Sequence, residues 1–255
     1  MHYAYRNIRV EKPISNIAVM SFIRPEKLNS LTIGVIDDML DFLTRLENDS
    51  ETTVLVMRGE GTRAYCSGLD FDNVYPSEVK GNSTYSYEIQ KKLSRIVLAI
   101  RNNPQISINL SFGYSIGSGF FTAMASDIRI IASNVKFSVP LIKMGMGACD
   151  IGSSYFLCRE LGAGPARDLL LTGRMLEAEE AMRLGFASEC VPFERLDEIG
   201  MTKAEEIAQL DPIALKFSKQ VLNFAENANS LEDVLMFENR NNQLIRIYKG
   251  ERKSI

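Results

Sequence analysis

The chain has 255 residues, 45% hydrophobic and 24% charged, the balance of an ordinary globular protein, at a length that suits one large domain or one domain with an appendage. A net charge of −3, with no run of like charges, excludes the basic footprint of a nucleic-acid binder and marks no interaction tail. No apolar run reaches membrane-spanning length, and Met1 to Arg9 lacks the apolar stretch of a signal peptide. The four cysteines (Cys66, Cys149, Cys158, Cys190) show no C-x-x-C spacing. The expectation is therefore a cytoplasmic protein with reduced thiols, no membrane partner and no zinc site.

Ile8 to Val10 and Ile17 to Phe22 read as short strands, with Pro13 and Asn16 marking the turn between them. A loop follows from Arg24 to Leu31. Thr32 is a candidate N-cap for a helix from Ile33 to Glu47, where Ile36, Met39, Leu40, Leu43 and Leu46 recur at helical spacing. Thr53 to Arg58 is a continuous apolar run, as expected of a strand covered on both faces. Pro76 to Thr84 is polar and aperiodic, which predicts a mobile loop. Tyr87 to Arg101 predicts a helix with Ile89, Leu93, Ile96, Val97 and Ile100 on one face.

Ile106 to Leu110 reads as a buried strand. It leads to a Gly-Ser-Gly turn, Gly117 to Gly119, and a helix of small residues through Ala125. Backbone N–H groups at such a turn can hold an anion or an oxyanion. Strands are expected at Asp127 to Ala132 and Lys136 to Val139. Helices are expected at Ser153 to Leu161, Ala163 to Thr172 and Glu177 to Leu184, the last closed by Gly185. From Leu196 to Tyr248 the pattern is helical, with breaks near Asp211-Pro212 and Asn227 to Ser230. Strand-strand-helix units thus recur before an all-helical tail, which predicts an α/β core with a helical module.

Two residues limit the chemistry. The one histidine, His2, stands at the N-terminus, which argues against Ser-His-Asp and Cys-His mechanisms and against a histidine metal site. Asp150 is a lone acid in the Gly/Ala/Ser-rich stretch G-A-C-D-I-G-S-S-Y. Desolvation there should raise its pKa and suit it to proton transfer. The alternative role is a cap on the helix beginning near Ile151, accepting from the Gly152 or Ser153 N–H. Among nearby groups, Tyr155 could reach the same site but reads first as a core residue with its hydroxyl satisfied, Cys149 could line the pocket but reads first as a buried inert thiol, Asp127 reads as a buried hydrogen-bonding residue, and the methionines as core filler.

Four segments in order resemble motifs of the crotonase, or enoyl-CoA hydratase/isomerase, superfamily. They are R-P-E-K-L-N-S-L from Arg24, Y-C-S-G-L-D-F from Tyr65, G-Y-S-I-G-S-G-F-F-T-A-M-A-S-D-I-R-I-I-A-S from Gly113, and L-L-L-T-G-R-M-L-E-A-E-E-A-M-R-L-G-F from Leu169. The resemblance implies a spiral of repeated β-β-α units over residues 1–195. It also implies a C-terminal helical oligomerisation region over 196–255, building a homotrimer or a dimer of trimers. It implies an acyl-CoA thioester substrate, with coenzyme A entering as part of the substrate and no separate cofactor, in reactions of the fatty-acid metabolism type. The oxyanion donors map to the Leu69 and Ser118 N–H groups, and substrate or CoA contacts to Lys27, Ser67, Gly68, Asp70, Gly117, Phe121 and Leu141. The basic end of the chain, K-G-E-R-K-S-I, is a further candidate for CoA phosphates.

The two glutamates of the family's hydratases fall on Phe121 and Leu141, which neither move protons nor bind water. Asp150 resembles the catalytic aspartate of the family's dienoyl-CoA isomerases. The expected activity is therefore enoyl-CoA hydratase/isomerase chemistry run by one acid through an enolate. A crotonase-fold hydrolase and a non-catalytic acyl-CoA-binding or assembly protein are the alternatives.

Overall fold

The computed structural model describes residues 3–252, with side chains as far as Gly250. His2 and Lys253 lie outside the described residues. Strands β1 (Ile8–Ile14) and β2 (Ile17–Phe22) open the chain as an antiparallel pair. Pro13 lies at the end of β1 rather than in the turn, where the pairing is irregular between Glu11 and Ile14. β1 is an edge strand, so the missing N–H of proline is tolerated there. Helix α1 (Ile33–Glu47) starts where the Thr32 hydroxyl accepts the Val35 N–H at 3.3 Å. It buries Val35, Ile36, Met39, Phe42, Leu43 and Leu46.

The next three turns of chain share one plan. Each lays a strand in a larger sheet and then a strand in a smaller one. The pairs are β3 (Val54–Gly59) with β4 (Ala64–Cys66), β5 (Ile106–Ser111) with β6 (Tyr114–Ile116), and β7 (Ile128–Ala132) with β8 (Lys136–Ser138). Between the first two pairs run α2 (Phe71–Val74) and α3 (Ser83–Asn102), and between the next two α4 (Ser118–Ala125). Asn82 accepts the Tyr85 N–H at 3.0 Å, so α3 begins inside the stretch expected to be loop, and Ser77–Val79 forms a short 3-10 turn. Beyond β8 come α5 (Ser153–Glu160), α6 (Ala163–Thr172), β9 (Leu176–Glu177), α7 (Ala178–Arg183) and β10 (Glu189–Val191).

The larger sheet has the order β1-β2-β3-β5-β7-β10, parallel from β2 onward. The smaller has the order β4-β6-β8-β9, with β9 antiparallel. β2 and β5 are buried along their whole length, as parallel strands covered on both faces should be. The winding is tight at Gly119: a Cβ there would lie 2.2 Å from the Cys66 carbonyl oxygen. Only glycine lets α4 lie on the backbone of β4.

Three helices complete the fold, α8 (Leu196–Ala208), α9 (Pro212–Ala225) and α10 (Leu231–Arg252). α8 lies against β2, β3, β5 and β7 and buries Leu196, Gly200 and Ala204. α9 is pinned by Lys219, whose buried Nζ sits 2.7 Å from Asp127 Oδ2 and donates to the carbonyls of Ile100 and Gln105 at 3.1 and 2.8 Å. Asp127 Oδ2 also accepts the Ser107 N–H and hydroxyl, both at 2.8 Å. α10 packs chiefly on α9 and leaves Leu231, Leu235, Met236, Leu244 and Ile247 exposed.

Removing one member of a buried ion pair strands the other without compensation. Lys219→Ala is expected to cost about 3–5 kcal/mol in urea unfolding. Lys219→Met combined with Asp127→Asn should cost less than the single change. A single-variant loss under about 1 kcal/mol, the scale of a surface pair, would show that this contact does not hold α9 to the core.

Candidate active site

The site is assembled first from backbone. Asn29 and Arg24 fasten the loop after β2 to the chain around β4. Asn29 Nδ2 donates to the carbonyls of Glu60 and Ala64, both at 2.9 Å, and its Oδ1 accepts the Arg24 N–H at 2.9 Å. Arg24 reaches Ser30 O at 2.7 Å and Asp70 Oδ2 at 3.1 Å. The segment leaving β4 is thereby drawn alongside the loop. Ser67 donates to Leu28 O, Leu31 to Gly68 O, and Asp70 to Leu31 O, at 3.0, 2.8 and 2.9 Å.

Polar groups alternate in direction along an extended segment. Because the Gly68 carbonyl and the Asp70 N–H face Leu31, the Leu69 N–H faces the other way. On that side lies the Gly-Ser-Gly turn. A Cβ on Gly68 would stand 3.1 Å from Ile116 O and 3.8 Å from Ser118 N, and one on Gly117 would stand 3.8 Å from Gly68 Cα. Gly117 itself donates to Ser138 O at 2.9 Å. Ser118 is the first residue of α4, where N–H groups have no partner within the helix. Among the described residues, neither the Leu69 nor the Ser118 N–H makes a hydrogen bond.

A cavity of about 700 Å³ opens beside Leu69. Its other walls are Phe71 and Tyr75, one face of α3, and the stretch from Leu141 to Asp150. The α3 face is Ser83, Ser86, Tyr87 and Gln90, the i, i+3, i+4, i+7 set of a single helical stripe. Asp150 is half-buried. Its Oδ1 accepts the Ile151 N–H at 2.9 Å and is also bonded by Gln90 Nε2. Its Oδ2 makes no hydrogen bond among the described residues. Burial pushes the Asp150 carboxyl above its ordinary range, and the bonds from Ile151 and Gln90 act in the opposite direction.

The capping role expected for the Asp150 side chain is not observed. The N-cap of α5 is Gly152, with no side-chain cap, and the Ser153 N–H goes to the backbone carbonyl of Asp150 at 2.8 Å. The Ser153 hydroxyl in turn accepts the Asp150 N–H at 3.1 Å. The turn is held in an uncommon conformation, with Ile151 at φ 42° and Gly152 at φ 85°. For a β-branched residue, that backbone costs on the order of 1–3 kcal/mol.

The residues singled out in the sequence fall in different places. Leu69, Leu141 and Asp150 line the cavity together. Ser118 and Phe121 border a narrow void of about 10 Å³ behind it, shared with Ile151, while Gly68 and Gly117 form the backbone contact just described. Ser67 and Asp70 serve the loop: Asp70 pairs with Arg24 and accepts the Asn73 N–H at the start of α2. Lys27 is exposed on a 3-10 turn away from the cavity lining.

Other expectations are corrected. Cys149 is exposed and lines the cavity, not buried. Of the two roles open to Tyr155, the structure has the packed one: it lies against the core and its hydroxyl donates to Asn227 Oδ1 at 2.8 Å. Met146 belongs to the cavity wall and Met144 is exposed, so these two are not core filler. Gln90 and the α3 stripe were not anticipated, although their spacing at the polar start of an amphipathic helix was the available signal.

The spiral of β-β-α turns, with a cavity between the chain after β4, α3 and the stretch that ends at Asp150, defines an α/β protein of the crotonase fold. The enoyl-CoA hydratase/isomerase family model matches residues 13–252, and the chain belongs to that family. A "Probable enoyl-CoA hydratase" of Mycobacterium bovis is 32% identical over 243 residues, covering 94% of this chain and 85% of the relative. A crystal structure of an enoyl-CoA hydratase from Bacillus anthracis superposes with a TM-score of 0.87 at 25% identity, covering 93% and 90%. A monofunctional enoyl-CoA isomerase from M. smegmatis gives 0.75 at 29% identity, covering 90% and 98%.

A carboxyl with a raised folded-state pKa makes stability fall as pH climbs from its unfolded pKa to its folded one. Below that window both states are protonated and no penalty exists. Asp150→Asn removes the penalty and keeps an oxygen for the Ile151 N–H. Its melting temperature at pH 7 is expected to equal or exceed that of the wild type, with any gain vanishing near pH 3. A clear loss of stability at pH 7 would mean that the carboxylate is there to hold the turn.

Proposed function

We propose that the protein is an enzyme of acyl-CoA thioesters and that it shifts a carbon–carbon double bond by single-acid chemistry at Asp150. The observation that carries this is the pairing of one anchored and one unpartnered oxygen on a half-buried carboxylate, in the same cavity as Leu69. In a 3-enoyl thioester the unpartnered oxygen of Asp150 takes a proton from C2. The C–H electrons form a C1=C2 bond as the carbonyl electrons move onto the thioester oxygen, and the resulting dienolate, conjugated with C3=C4, is held by the Leu69 and Ser118 N–H groups. Asp150 then returns the proton at C4, giving the 2-enoyl thioester. One C–H bond breaks, one forms, and neither water, oxidant nor separate cofactor enters.

Two fixed N–H donors suit this step because charge develops on the oxygen they face, and each such donor is worth roughly 3 kcal/mol of barrier. Supporting isomerisation over water addition, Phe121 is buried and Leu141 is a cavity wall, at the two positions where the resemblance places the hydratase acids. The monofunctional isomerase among the structural relatives fits the same reading. The exposed apolar side chains of α10 support assembly of a homotrimer or a dimer of trimers.

The test is incubation with crotonyl-CoA and with a 3-enoyl-CoA in deuterated water, following thioester absorbance and deuterium uptake. Conversion of the 3-enoyl to the 2-enoyl thioester is expected, with no accumulation of the 3-hydroxy product. Asp150→Asn should lower kcat by about 100-fold or more, the usual worth of a positioned acid–base group. Water addition or release of free coenzyme A would replace this reading with a hydratase or a hydrolase. Binding without any turnover would leave an acyl-CoA-binding protein.

A further inference from the structure

Behind the Asp150 turn lies a second cavity, of about 400 Å³, between α3, α5 and α9. Its near wall is apolar, built by Val97, Leu98, Ile151 and Phe156, and its far end holds the ion pair of Arg101 and Glu226. The narrow void that borders Ser118 and Phe121 adjoins this rear cavity. Val97 and Ile151 line both the void and the rear cavity, while Asp150 lines the front.

One helix is common to all three spaces. Gln90 faces the front cavity, Leu93 and Ile96 the void, and Leu98 and Arg101 the rear. From Gln90 to Val97 the helix advances about 10 Å. Gln90 and Ser94, one turn apart, line the front and rear cavities, and the neighbours Asp150 and Ile151 divide the same way; Ile151 stands on the rear side of that boundary, on a left-handed backbone that β-branched residues avoid. Gly152, next in the turn, already faces the rear cavity: a Cβ on it would meet the Phe156 ring at 3.0 Å and Val97 at 4.0 Å.

We propose that Ile151 is a specificity-determining partition, which confines the acyl group to the front cavity and bars the end of a long linear chain from the apolar rear cavity. The proposal rests on the acyl-CoA reading above and names its substrate class: thioesters whose acyl group ends short of Ile151. The strained backbone fits this role, because it aims the side chain across the gap instead of into the turn.

The test is calorimetric titration with butyryl-CoA and dodecanoyl-CoA, both saturated, so that no turnover is needed. Ile151→Gly suits the left-handed backbone and opens the partition. Dodecanoyl-CoA should then bind about tenfold tighter or more, from the extra methylenes buried, with butyryl-CoA affinity little changed. Leu98 is 57% exposed at the rear cavity, so Leu98→Trp can fill that space without disturbing the core. Added to Ile151→Gly it should cancel the gain, and alone it should affect neither ligand.

Unchanged dodecanoyl-CoA affinity in Ile151→Gly, with butyryl-CoA still bound, would overturn the partition alone. So would weaker dodecanoyl-CoA binding in Leu98→Trp by itself, since the wild type would then already use the rear cavity. Failure of the wild type to bind butyryl-CoA would overturn the acyl-CoA reading and the partition with it.

Discussion

The close approach of α4 to the backbone of β4 is the constraint on which the rest of the site depends. Gly119 rests on the Cys66 carbonyl with no room for a methyl group. That contact fixes where the Gly-Ser-Gly turn stands, and so where the Ser118 N–H points. The opposing N–H, on Leu69, is aimed by different means: the bonds of its neighbours to Leu31 leave it only one direction. Neither N–H has a hydrogen-bond partner among the described residues, although polar backbone is normally satisfied. Arg24, Asn29, Asp70 and Gly119 hold the two segments that carry them.

The acid is placed by an opposite strategy. Asp150 sits on a turn between β8 and α5, in a conformation that strains Ile151, and its side chain is bonded from α3 by Gln90. Burial favours the protonated form, while Gln90 and the Ile151 N–H favour the charged one. A carboxyl balanced between these influences can accept and return a proton more readily than one locked in an ion pair. The ion pairs elsewhere behave differently: Asp127 is committed to Lys219 and two bonds from Ser107, and Asp70 to Arg24.

The elements of the fold were legible in sequence where periodicity was strong and both ends were marked. Helix α1 between Thr32 and Glu47, helix α6 up to Gly173, and the three tail helices are of this kind. β6, β9 and β10 span three residues or fewer, too short for alternation to register, and they exist because neighbouring strands supply their partners. The start of α3 was hidden because its first turns present serines and tyrosines to a cavity, so that a polar functional stripe reads as loop. In the site, the motif glycines and Asp150 could be found from local composition. Gln90 could not, because its role depends on a partner sixty residues away. Cys149 was misjudged for the same reason: the cavity that exposes it is made by α3 and by the segment after β4.

These features suggest how one scaffold accommodates different reactions. Polarising a thioester needs only the backbone of two turns, and that backbone is fixed by packing that side-chain replacement at Phe121 or Leu141 leaves untouched. The proton-moving group is then free to be supplied from another part of the wall, provided it faces the same space as Leu69. Asp150 meets that condition from the far side of the cavity, with α3 as its support. Because α3 lines both the front cavity and the rear one, the helix that supports the acid is, on the proposed reading, the helix along which an acyl chain would extend. The two proposals thus fall on adjacent residues, Asp150 for the reaction and Ile151 for chain length, joined by one strained turn.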